Sequence, residues 1–268
     1  MDWFTLPRLN HLNRTMDKTL IQTEFGANAA AYVDSVPHAK GASLGRLVAL
    51  LAPQPEWQVL DVATGSGHTA FALAPFVAQV WATDITAEMR ETAVALAQSR
   101  GLTNIRVEYA DAEALPYAGE MFDLVTCRIA AHHFGDIRPF LQQSVRVLKP
   151  GGRLAVVDNV VPAGQVGDYV NAFEKLRDPS HGRCLSLTEW QQAFQAHGLT
   201  LRHSETLDKQ MNFGKWAARH HPTMQAYLQA LLFQGGPEVL AFLQPQTTGT
   251  DITFRLREGI LIGEKTAD

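Results

Sequence analysis

Cysteine is scarce: only Cys127 and Cys184 occur in 268 residues. Neither belongs to a CxxC pair, which excludes a zinc knuckle and a disulfide framework. Both are expected as buried, reduced thiols. Positive charge is not in excess, since 23 Lys and Arg face 27 Asp and Glu for a formal net charge of -4. That balance argues against a nucleic-acid backbone as partner, because such proteins carry a basic stripe. No apolar run approaches the roughly 20 residues of a membrane span. The opening Met1-Asp2-Trp3-Phe4-Thr5-Leu6-Pro7 lacks the basic n-region and apolar core of a signal peptide. A cytoplasmic protein is expected. Repeats and low-complexity segments are absent, and the His220-His221 pair has no carboxylate or cysteine at ligand spacing, so no metal site is expected.

What is present is an alternation. After mixed residues 1–40, with a short helix expected over 23–33, a helix with apolar Leu44, Leu47, Val48 and Leu51 and Ser43 as cap ends at Pro53. Strands are expected at 57–62, 79–84, 105–110, 122–127 and 153–158. Helices are expected between them at 68–77, 86–100 (Thr86 as cap, Gly101 as stop) and 136–148. Short Val-, Leu- and Ile-rich strands alternating with helices of this length make βαβ units and a mostly parallel sheet covered on both faces. Beyond Asp158 the pattern loosens into helical pieces over 160–198 and 213–244. A strand is expected at 200–207, and a final strand or hairpin pair at 252–263.

Chemistry concentrates at the first strand end, in Asp61-Val62-Ala63-Thr64-Gly65-Ser66-Gly67-His68-Thr69-Ala70. Two glycines permit positive φ and close approach of a ligand, and the following helix N-terminus presents unpaired N–H groups. A tight turn without a ligand would give the same local pattern. Two more carboxylates sharpen it. Asp84 ends the second strand, where an acidic side chain can accept both ribose hydroxyls, and Asp111 ends the third, within reach of an adenine amine. Strand ends of an open α/β sheet converge on one crevice. Asp61 separates two nucleotide readings: beside a dinucleotide pyrophosphate it would repel, whereas beside a sulfonium and an ammonium it would attract. An NAD-dependent oxidoreductase keeps only the GxGxxA match and Asp84, and the chain lacks a Tyr-x-x-x-Lys pair. A non-catalytic S-adenosylmethionine-binding protein is the other alternative.

The sequence resembles the class I S-adenosylmethionine-dependent methyltransferases, in the ubiquinone/menaquinone-biosynthesis-type (methyltransferase type 11) branch. The residues that carry the likeness are the loop from Asp61 to Gly67, Asp84, Asp111-Ala112-Glu113-Ala114-Leu115-Pro116, Phe122-Asp123-Leu124-Val125, Ala131-His132-His133-Phe134 and Arg146-Val147-Leu148-Lys149-Pro150-Gly151-Gly152. Ala63 departs from the usual glycine. The resemblance implies a Rossmann-like fold with a mostly parallel seven-stranded sheet, helices on both faces and a helical cap. It implies S-adenosyl-L-methionine as cofactor, leaving as S-adenosyl-L-homocysteine, and a small-molecule acceptor. Residues 1–45 would form a helical lid and 46–268 the methyltransferase domain, with 160–198 and 213–244 as cap insertions. Asp61 and the backbone of Ala63, Thr64, Gly65 and Gly67 would hold the methionyl end. Asp84 would bind ribose, Ile85 and Met89 would pack near adenine, and Asp111 and the N–H of Ala112 would meet its ring. The segment Cys127 to Phe134, with Arg128, would border the sulfonium and the acceptor.

On the acceptor side His132 and His133 are the candidates for a general base. Arg177, His181 and Arg183, close together in the run 177–183, are candidates to hold an anionic group. Tyr32, with Ser35 and His38, belongs to the candidate lid.

Overall fold

The computed structural model describes residues 18–33 and 41–266, the stretch 27–33 by its backbone alone. Helix α1 (Lys18–Val33) begins five residues earlier than expected and is followed by α2 (Ala42–Leu51). The N-cap of α2 is Gly41 and its Ser43 is buried, so serine does not cap it. The alternating region is β1 (Gln58–Val62), α3 (His68–Leu73), β2 (Gln79–Asp84), α4 (Ala87–Ser99), β3 (Ile105–Tyr109), β4 (Phe122–Arg128), α5 (Ile137–Val147) and β5 (Leu148–Asn159). Pro75 converts the end of the expected 68–77 helix into a 3-10 turn.

The remainder is α6 (Gln165–Arg177), α7 (Leu187–Ala196), β6 (Leu199–Asn212), α8 (Phe213–Ala217), α9 (Pro222–Gln234), α10 (Pro237–Leu243), β7 (Gln246–Thr248) and β8 (Asp251–Lys265). Strand order is β3-β2-β1-β4-β5-β8-β6. The pairs from β3 to β5 are parallel, and β8 is antiparallel to β5 and β6. Seven strands form this path as expected, and the three-residue β7 adds an eighth by hairpin pairing with β8.

Alternation along the strands divides the core between the sheet's two faces. Leu60, Val62, Val125, Cys127, Leu154 and Val156 pack on one side, with Phe140 and Trp190 from the helices there. Val59, Leu124, Ala155 and Val157 pack on the other, with Leu47, Leu51 and Ala93. Burial on both faces explains why these strands read as continuous apolar runs. A third cluster joins α6, α8 and α9 to β8 through Phe173, Trp216, Leu228 and Phe254. Because the chain runs outward from β1 to β3 and then returns to β4 on the other side, the connections leave the C-terminal ends of β1 and β4 in opposite directions. A crevice opens at such a reversal.

Candidate active site

The crevice is a cleft of about 1000 Å³, counting the space at its mouth. Its floor is the loop between β1 and α3. Ala63, Gly65 and Gly67 all have positive φ, at 53°, 56° and 91°. A Cβ on Gly65 would meet nothing within 4 Å, so it would stand in the open cleft, whereas one on Gly67 would lie 2.3 Å from the Phe71 ring. Gly65 therefore keeps space for a ligand, and Gly67 allows α3 to close onto the loop.

Asp61 lies beneath this loop rather than on the cleft wall. Its carboxylate accepts from the hydroxyls of Thr64 and Thr126, each at 2.6 Å. Burial raises its pKa to about 6 against the lowering effect of those hydroxyls. It pins the loop to β4.

Asp84 ends β2 and holds the loop from the side. It accepts from the Gly65 N–H at 2.9 Å and the Thr86 N–H at 2.8 Å. It is 8% exposed, and burial raises its pKa. With the Thr86 hydroxyl as a third partner, the carboxylate still has acceptor capacity for a further donor. Ile85, Met89, Asp111 and Ala112 continue the same wall. Asp111 accepts from the Glu113 N–H at 3.0 Å and from Lys18 Nζ at 2.5 Å, and the same ammonium reaches Glu113 at 2.9 Å. Lys18 thus seats α1 over the ends of β2 and β3, aided by Gln22 Nε2 donating to the Ile85 carbonyl at 3.0 Å. Lys18, Ile21 and Phe25 of α1 line the cleft.

The opposite wall follows β4. Arg128 donates to Thr69 Oγ1 at 3.0 Å, and burial lowers its pKa. Ala131–His133 forms a 3-10 turn. His133 lines the cleft, with Phe25 edge-on at 4.9 Å between centroids. His132 points behind it: its Nδ1 meets Asp158 Oδ1 at 2.5 Å, and its N–H donates to Oδ2 at 2.7 Å. Burial depresses the His132 pKa, but the Asp158 charge and hydrogen bond outweigh it and hold the imidazole above its ordinary value. Burial and the neighbouring His132 charge drive His133 down to about 3. His181, 5.4 Å from the His132 ring and bonded through Nε2 to Asn171 Oδ1 at 2.9 Å, falls to about 2 for the same two reasons.

The two candidate arginines are not brought to the cleft. Arg177 lies over the Trp216 ring and donates to the Trp216 carbonyl at 3.2 Å. Arg183 is ion-paired to Glu189 at 2.6 Å on the outside. The Tyr32 side chain, Ser35 and His38 lie outside the described residues. His220 bonds the Arg177 carbonyl and His221 caps α9, and no metal-binding cluster occurs among the described residues. The sequence reading missed Lys18, Phe25, Asp158, Asp178 and Ser180. Only Asp158 had a usable signal, since it sits near the C-terminal end of β5, where the strand-end logic applies.

Comparison with known proteins adds the decisive observation. Residues 60–156 match the family model described as "Methyltransferase domain". The uncharacterised methyltransferase YcgJ of Bacillus subtilis is 40% identical over 199 residues, 74% of this chain and 79% of the relative. The chain belongs to this methyltransferase family. The crystal structure of YcgJ superposes with a TM-score of 0.80 at 34% identity, over 84% of this chain and 99% of that one. A putative methyltransferase from Bacillus halodurans does so with a TM-score of 0.81 at 32% identity, over 85% and 100%. The demethylmenaquinone methyltransferase of Deinococcus radiodurans is 40% identical over 116 residues, 42% of this chain and 47% of that protein. The protein is an S-adenosylmethionine-dependent methyltransferase with the class I Rossmann-like fold. The oxidoreductase alternative is not favoured. Among the described residues no helix is long and apolar enough to cross a membrane.

Proposed function

We propose that this enzyme methylates a small organic acceptor bound between α1 and the turn at His133, with S-adenosyl-L-methionine lying along the ends of β1 to β3. The observation that carries this reading is the division of the cleft. Lys18 of α1 reaches Asp111 on the β3 side, and Phe25, about two turns further along α1, packs edge-on to His133 on the β4 side. The donor set fits the cofactor: the Gly65 cradle is open, and a buried carboxylate beside it retains acceptor capacity.

Asp84 would take the ribose hydroxyls, and Asp111 and the Ala112 N–H the adenine edge, once Lys18 shares or yields Asp111. Ile85 and Met89 would flank the ring. The backbone of Ala63, Thr64, Gly65 and Gly67, with Arg128, would hold the methionyl end, Asp61 acting by pinning the loop. When bound, the cofactor supplies a methyl carbon already activated by its sulfonium. The protein then has to position the acceptor and exclude water, tasks that suit a lid-covered apolar pocket.

A phenolic or quinone-like acceptor fits the aromatic lining and agrees with the named activity of the Deinococcus relative. Acceptor contact is assigned to His133, Phe25 and Phe134. Arg177, His181 and Arg183 instead support the cap through Trp216, Asn171 and Glu189, and His132 supports His133 from behind. Screening phenols, quinols and other small metabolites for S-adenosylhomocysteine release tests the reading. Turnover on a macromolecule, with none on any small acceptor, would overturn it.

A further inference from the structure

We infer that Asp178 and Ser180 are positioning residues that fix His133 with its proton on Nδ1. They thereby leave Nε2 as a bare hydrogen-bond acceptor for a methyl acceptor that carries a hydroxyl or N–H at, or conjugated with, its reacting atom.

Donors and acceptors around the ring decide the tautomer. His133 Nδ1 has two partners, the Ser180 carbonyl at 3.0 Å and Ser180 Oγ at 3.2 Å. A carbonyl only accepts. A hydroxyl can serve in either direction, but its proton is already directed to Asp178 Oδ1 at 2.5 Å. Toward His133 it can therefore only accept, so both partners require an N–H at Nδ1.

Asp178 is kept able to play this part. It also accepts the Ser180 N–H at 3.0 Å. It faces Arg219 at 3.2 Å and Arg177 at 3.5 Å, and these two cations anchor its carboxylate. Arg177 and the far side of the cap thus reach the cleft indirectly, through Asp178.

The surroundings of His133 also disfavour a second proton. The ring is buried, and its centroid lies 4.1 Å from that of His132, which is paired to Asp158. The charged or titratable groups around these rings are Asp158 from β5, Glu174 and Lys175 from α6, and Asp178 and His181 from the loop after it. From α1 the ring meets Phe25, which has no charge. A neutral imidazole with Nδ1 turned to Ser180 has only Nε2 left for the cleft. A bare nitrogen attracts an O–H or N–H and repels an anion. In water the histidine side chain favours the opposite tautomer, with the proton on Nε2, so the arrangement leaves a distinct signature.

The part of this inference that concerns the methyl acceptor rests on the proposed function, while the tautomer does not. The test is two-bond proton–nitrogen correlation NMR on the full chain labelled with ¹⁵N-histidine, without ligands at neutral pH. His133 is assigned by the signal lost in His133→Gln. The expected result is a neutral ring with a pyrrole-type Nδ1 and a pyridine-type Nε2. In Asp178→Asn the new amide can donate to Ser180 Oγ and release the hydroxyl proton toward Nδ1, so a fraction with the proton on Nε2 should appear. Ser180→Ala, which keeps the carbonyl that by itself requires the N–H and removes the hydroxyl that could compete, should retain the wild-type pattern; a folded Asp178→Asn protein that retains it too would remove Asp178 from the inference. A wild-type His133 that is positively charged, or protonated on Nε2, would overturn the inference whether or not either variant folds. Calorimetry of S-adenosylhomocysteine on the same sample separates the two claims: tight binding with the wrong tautomer refutes only the inference, and the right tautomer without binding refutes the proposed function. Methylation of an acceptor lacking any such hydroxyl or N–H would remove the substrate class.

Discussion

Replacing Asp84 by alanine removes two things at once, and the structure lets them be weighed separately. In the free protein the carboxylate accepts the N–H groups of Gly65 and Thr86. Each such charge-assisted bond is worth about 1.5–3 kcal/mol, but relief of the buried charge offsets part of the loss. A net stability loss of about 1–3 kcal/mol is expected in urea unfolding of the free enzyme. A strand-end aspartate judged from sequence would be expected to leave the fold untouched. The 8% exposure of Asp84 and its hold on the glycine loop say otherwise. The second effect is on binding. Loss of the ribose contacts should weaken S-adenosylhomocysteine by a further 1.5–3 kcal/mol, about 10- to 150-fold in Kd. Both are read on one preparation, by denaturant titration and by calorimetry under conditions where the variant is folded. Unchanged affinity in a folded Asp84→Ala protein would refute the ribose assignment, and unchanged stability would refute the clamp.

Three further outcomes are expected. Gly65→Ala should cost about 1–2 kcal/mol of stability from its left-handed backbone and also reduce cofactor affinity, whereas Gly67→Ala should impair folding because its Cβ would strike the Phe71 ring. Circular dichroism and calorimetry on the pair would contradict this if the two behaved alike. His133→Gln should leave S-adenosylhomocysteine affinity nearly unchanged and lower turnover by about tenfold, the worth of one hydrogen bond. A loss above about 10³-fold would mean that His133 carries the proton as a general base. Two buried histidines should pull stability down on acidification from pH 7 to 5. His133 and His181, held near 3 and 2, stay neutral in the fold while the unfolded chain takes up protons from about pH 6.5 downward, at about 1.4 kcal/mol per pH unit per histidine. Asp61, raised to about 6, opposes one such contribution between about pH 6 and 4, the raised Asp84 and Glu174 act in the same sense, and the raised His132 favours the fold most below pH 6.5. His181→Gln should flatten the profile of urea midpoint against pH, and an unaltered slope would count against its buried neutral state.

Legibility in the sequence followed local periodicity. Strands β1, β2 and β4 were readable because burial on both faces makes each a short apolar run punctuated by glycine, proline or a capping residue, whereas the half-exposed β3 showed through its place in the alternation. Lengths were less so: β6 and β8 run 14 and 15 residues, because each pairs with the other beyond the sheet's body, where their composition turns polar. The cofactor side of the site was visible for the same local reason, since Gly65, Asp84 and Asp111 each follow a strand. The acceptor side was not. Ser180 meets His133 across 47 positions and Lys18 meets Asp111 across 93, and no spacing rule announces such pairs. Nor could the sequence distinguish arginines that reach a ligand from Arg177 and Arg183, which the fold assigns to Trp216 and Glu189.

The cleft beside Gly65 and Asp84 is proposed to be built for S-adenosylmethionine. Calorimetric titration of the purified protein with S-adenosylhomocysteine, S-adenosylmethionine and NAD tests it most directly. Binding of the first two at micromolar order, about −8 kcal/mol, with NAD much weaker, is the predicted result. Tighter binding of NAD than of either methyl-transfer ligand would contradict that assignment.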